Sequence, residues 1–224
     1  MPQGTSKHRT HHYPPLEEAI NVVSHAAGLL LGVVGFVFLL LRSIQHGDSL
    51  GITGFAVFGA SLVVLYAAST IYHSSRDELR RAKFRTLDHA AIYVLIAGTY
   101  TPFALVTLNG PVGWTLFGVT WGMAAVGITL KLFFTGRYDL LSTLMYLFMG
   151  WVILFAIRPL VEAFSGHGMA WLVAGGIAYT LGAIFYSIRR LPFSHAIFHL
   201  FVLVGSVCHF ISVYFFVLPR EITA

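Results

Sequence analysis

Seven apolar stretches, roughly 19–41, 50–73, 88–107, 112–131, 138–157, 169–188 and 194–217, take up most of this 224-residue chain. Each is close to the ~20 residues a helix needs to cross a bilayer core. In lipid the backbone must satisfy its own hydrogen bonds, so the only spanning structures are helices and closed barrels. The long Leu, Val and Phe runs lack the two-residue alternation of a membrane barrel. Only 10% of the residues are charged, and the mean hydropathy is +0.77; a soluble domain carries ~25% charge. The expectation is an all-α integral membrane protein, a seven-helix bundle with antiparallel neighbours. Residues 16–218 would form a single membrane domain, between a disordered polar tail at 1–15 and a short tail at 219–224. The first run is too long for the ~7–15-residue core of a cleaved signal and reads as a retained span.

The loops orient the bundle. Of 14 Lys and Arg residues, eleven fall in the N-terminal tail and in the 2–3, 4–5 and 6–7 connections; Arg42, Arg158 and Arg220 are on the other side. Basic loops stay in the cytoplasm, which places the N-terminus inside and the C-terminus outside. The net charge of +5 is therefore explained by topology and does not point to nucleic acid. One cysteine, Cys208, excludes an internal disulfide and a thiolate metal cluster. The lysines are Lys7, Lys83 and Lys131, so the seventh span has none for a retinal Schiff base. Asn109-Gly110-Pro111 marks a turn, and Pro102 should kink the third span. Gly28, Gly32 and Gly35 suit close packing of the first span.

Polar groups inside spans are costly, yet several converge at one end of this bundle. His73 closes the second span, Asp88 opens the third, and His195 and His199 start the seventh. Residues four apart share a helix face, so His195 and His199 can serve one ion, and Ser69 and His73 share a face too. Three neutral imidazoles plus water make an open tetrahedral zinc site of the catalytic kind. A zinc-bound water would be the nucleophile, with Asp88 as proton shuttle and Ser69 orienting the water or an oxyanion.

Plainer readings exist. His-x-x-x-His is a short pattern, Asp88 could pair with Arg85, and a serine in a membrane helix commonly bonds its own backbone. Glu17, Asn21 and His25 form a stripe at the start of the first span, expected to support or gate the site without ligating. His89 points ~100° away from Asp88. His209 is ~21 Å along the helix from His195, too far for the same ion. Tyr72, Tyr93 and Tyr100 are expected to pack or anchor, and the basic run Arg76 to Arg85 to anchor the cytoplasmic side.

Glu17-x-x-x-Asn21-x-x-x-His25, Ser69-Thr70-Ile71-Tyr72-His73, Asp88-His89, Ala97-Gly98-Thr99-Tyr100-Thr101-Pro102 and His195-Ala196-Ile197-Phe198-His199 together resemble the bacterial hemolysin III proteins. Those stand with the progestin and adiponectin receptors and, more distantly, the alkaline ceramidases. The resemblance runs from about residue 16 to 218. It implies zinc near the cytoplasmic face of a seven-helix bundle in the bacterial plasma (inner) membrane. His73, His195 and His199 would be the ligands, with Asp88 and Ser69 completing the motif.

Three functions compete. The first is a zinc hydrolase cleaving an amide or ester of a lipid-like substrate that enters from the bilayer. The second is a receptor or regulator with a structural ion, in which Asp88 would fill the fourth position. The third is a hemolysin-like protein supporting cytolysis, although the outer halves of the spans carry too little charge for an ion path. The residues do not specify substrate or oligomeric state.

Overall fold

The computed structural model describes residues 12–135, 138–188 and 190–218. Residues 1–11 of the tail expected at 1–15 and the whole tail at 219–224, with His8, His11 and Arg220, lie outside the described residues, as do Arg137 and Arg189. Among the described residues, seven helical spans are long and apolar enough to cross a membrane. The elements are α1 (Pro15–His46), α2 (Ser49–Ser74), α3 (Glu78–Pro102), α4 (Pro111–Phe134), α5 (Asp139–Gly150), α6 (Ile157–Ala163), α7 (Gly166–Ser187) and α8 (Ser194–Phe216). The tightest neighbours are α7 with α8, α1 with α2, and α2 with α3. The largest apolar core joins Leu39, Phe55, Phe58, Leu62, Tyr66 and Val202. Leu, Val and Phe on the outward faces stay exposed, as a lipid-facing surface requires.

Local chemistry sets the ends. Asp48 caps α2 by accepting from Gly51 N at 2.8 Å, and Asp77 caps α3 by accepting from Arg80 N at 2.9 Å; such caps satisfy orphan amides of the first turn. Gly110 turns with φ 82, and Pro111 opens α4, where its missing N–H is no loss. Gly28 and Gly35 let α1 approach its neighbours, since a methyl group there would strike Tyr66 and Phe210 respectively. A methyl group at Gly32 would sit in ordinary contact with Leu62 and Tyr66, 3.8 Å away.

Two spans depart from the sequence reading. The basic stretch expected as a loop is helical: α3 begins at Glu78, ten residues before Asp88, because the Asp77 cap starts it early. The fifth span is not continuous. It breaks at Trp151, runs as a 3₁₀ turn over Val152–Ala156 and resumes as α6. The Tyr100 hydroxyl donates to Gly150 O at 2.7 Å and accepts from Ile153 N at 3.0 Å. It thereby satisfies backbone groups that the break would strand in an apolar medium. Beyond Pro102, α3 continues as a π-helical segment, Phe103–Leu108, as the lost proline donor demands a shifted ladder.

Candidate metal centre

The end of α2 and the start of α8 meet beside the start of α1. His73, His195 and His199 are all buried there. His195 Nε2 lies 3.1 Å from His73 Nε2 and 3.0 Å from His199 Nε2. Among the described residues, these three histidines form a group whose donor atoms lie within 4.8 Å of one another. A hydrogen on one nitrogen serves one such contact and leaves another pair of lone pairs opposed. A cation relieves all of them. Tetrahedral zinc with bonds of ~2.0–2.1 Å sets its nitrogens about 3.3 Å apart, close to the spacing found. The residues present thus fit a metal ion, and the three-histidine set leaves a position open.

The ligands are held from behind. Glu18 Oε2 lies 3.1 Å from His73 Nδ1, which fixes that ring with Nδ1 protonated and Nε2 turned inward. The other Glu18 oxygen pairs with Arg81. Arg81 is 1% exposed and donates to the carbonyls of Tyr72, His73 and Ser75, while its guanidinium lies 4.7 Å over the Tyr72 ring. A cation at a helix C-terminus meets the negative end of the dipole, so Arg81 fastens the last turn of α2, which carries His73. The sequence reading grouped Arg81 with the loop anchors and did not single out Glu18. A second glutamate directly after Glu17, the first residue of the stripe, is the available signal.

The stripe itself surrounds the centre. Glu17 accepts from the backbone N of His195 at 3.2 Å, serving the orphan amides of α8 in place of a cap. Phe193 makes the turn into α8 at φ 57, a left-handed geometry costing ~1–2 kcal/mol for an L side chain. Asn21 reaches Glu18 at 3.5 Å. His25 stacks on His199 with ring centroids 3.5 Å apart. From the chain before α1, Tyr13 stacks on His195 at 4.5 Å, and burial pushes its phenol above the ordinary tyrosine range. His12 meets Glu78 on α3 at 2.5 Å. Tyr13 is a covering residue that helix periodicity could not reveal, because it precedes the first span.

Ser69 is fully buried, and its hydroxyl has no hydrogen-bond partner among the described residues. Ser61, Thr70 and Thr99 bond carbonyls of their own helices, so the bland reading of a back-bonded serine does not describe Ser69. Asp88 is buried and shares with His25, His195 and His199 the wall of a mostly apolar cavity of about 140 Å³. Its carboxylate stands outside the three-histidine donor group. His89 bonds the Arg85 carbonyl at 2.7 Å, and its Nδ1 lies 3.8 Å from the Asp88 carboxylate, nearer than the helical angle alone implies. Tyr72, Tyr93 and Tyr100 pack or stitch, as the sequence suggests.

A family model described as Haemolysin-III related matches residues 14–210. The chain belongs to the haemolysin-III related family. It is 48% identical to "Hemolysin-3" of Bacillus cereus over 203 residues, covering 91% of this chain and 93% of that protein. It is 44% identical to the "Hemolysin-3 homolog" of Bacillus subtilis, covering 89% and 94%. The human "Monocyte to macrophage differentiation factor" is 28% identical over 88% of this chain and 83% of that protein. The three-histidine group thus occurs in a haemolysin-III-type bundle of seven spans, within a superfamily that includes the adiponectin-receptor type.

Proposed function

We propose that this haemolysin-III related protein is a membrane-embedded zinc-dependent hydrolase of a lipid-like amide or ester. His73, His195 and His199 would hold the ion. When bound, zinc supplies Lewis acidity, which lowers the pKa of a water and polarises a carbonyl. Asp88, on the cavity wall beside the ligands, takes the proton from the attacking water and returns it to the leaving amine or alcohol. Ser69 donates its uncommitted hydroxyl to the oxyanion. The apolar cavity receives the lipid chain and excludes bulk water. The bias of basic residues towards this end supports a cytoplasmic-face position in a bacterial plasma membrane.

The observation that carries this reading is the donor set: three imidazoles converge while Asp88 stands outside them on a cavity wall. A structural ion would have its four positions filled by protein. The test is Asp88→Asn, assayed for metal content and for fatty-acid release from a panel of acyl amides and esters. The expected result is unchanged metal with turnover reduced at least ~100-fold. Turnover equal to wild type would remove Asp88 from the chemistry.

A further inference from the structure

Next to the cavity beside the metal centre is a second, smaller one of about 80 Å³. Thr99, Tyr100, Gly150, Trp151, Gly176 and His209 line both and form the junction. Ten residues of α8 separate His209 from His199, or ~15 Å along the axis. His209 therefore takes no part in the metal site. An ionisable group at this depth is costly and marks a functional position unless its bonds are satisfied.

At the junction almost every polar group is spoken for. Thr99 bonds Leu95 O at 2.8 Å. Tyr100 holds the broken fifth span through Gly150 O and Ile153 N. Trp151 donates to Thr180, which itself bonds Gly176 O. His209 is the exception. Its Nε2 donates to Leu172 O at 3.1 Å, and Gly175 leaves room for that edge of the ring, since any side chain at 175 would collide with it. Nδ1, on the opposite edge, is buried without a hydrogen-bond partner among the described residues. With Nε2 carrying the proton, Nδ1 of the neutral ring is an acceptor. A buried acceptor without a partner on a residue that lines two apolar cavities is matched by a ligand that brings one donor to that depth.

We propose that the junction recognises a hydroxyl on the ligand's acyl chain, well away from its headgroup, with the hydroxyl donating to His209 Nδ1. The substrate class is then a hydroxyacyl lipid, not a plain saturated one. This rests on the reading that a lipid chain occupies the cavity.

The test measures binding without turnover. Octadecanoic acid, its α-hydroxy derivative and a derivative hydroxylated near mid-chain compete with a fluorescent fatty acid for detergent-purified wild type and His209→Phe. Mid-chain hydroxylation should tighten binding to wild type about tenfold, with no gain for the α-hydroxy derivative. The preference should vanish in His209→Phe at unchanged metal content. Equal binding of all three acids by wild type, or no binding of any, overturns the proposal without need of a folded variant. A preference that survives in His209→Phe also overturns it. Absence of hydrolysis with the preference intact would fall on the enzyme reading alone.

Discussion

At the scale of single residues, the centre depends on one carboxylate that sequence spacing passes over. Glu18 joins the imidazole of His73 to the buried guanidinium of Arg81, so three helices meet through it. Removing its charge frees the His73 ring and takes the Glu18 ion pair from the buried Arg81. Glu18→Gln should weaken metal affinity ~10–100-fold, read by competition with a coloured zinc chelator; unchanged affinity would show that His73 is oriented by packing alone. The ligands themselves are legible in the sequence, because a four-residue step on a helix is a face whatever surrounds it. Glu18 is not. It lies ~100° around α1 from Glu17, and its partners are 55 residues away at His73 and farther still at Arg81. Glu17, Asn21 and His25 were visible as a stripe, yet their three different contacts, an amide of α8, Glu18 and the His199 ring, depend on how α1 is turned against its neighbours.

At the scale of elements, the fifth span carries the main surprise. Hydropathy reads it as one apolar run, and nothing in Gly150 or Trp151 alone marks a break. The break is set by tertiary contact, because the Tyr100 phenol replaces the ladder bonds it loses. Tyr100→Phe should therefore cost ~1–3 kcal/mol, the penalty of a buried backbone group left unsatisfied, seen as a lower thermal midpoint in detergent with metal content unchanged. A midpoint equal to wild type would mean that the 3₁₀ turn is stable without this support. The early start of α3 has a different origin. Its charged first turns have no apolar signal, and only the Asp77 cap betrays them.

At the scale of the whole molecule, polar chemistry is gathered at one end of an otherwise apolar bundle. The first, second, third and seventh spans converge there, while the fifth, with its break, borders the cavity that leads away from it. The basic residues between the second and third spans and the histidines that converge are separate signals in the sequence, and they coincide at the same end. The direct measurement is the metal content of detergent-purified protein, wild type beside His195→Ala/His199→Ala. About one zinc per chain, lost in the double variant while the fold persists, is the result this structure predicts. A well-folded wild type without metal, or a double variant that keeps it, would contradict the account and reduce the three histidines to a hydrogen-bonded cluster.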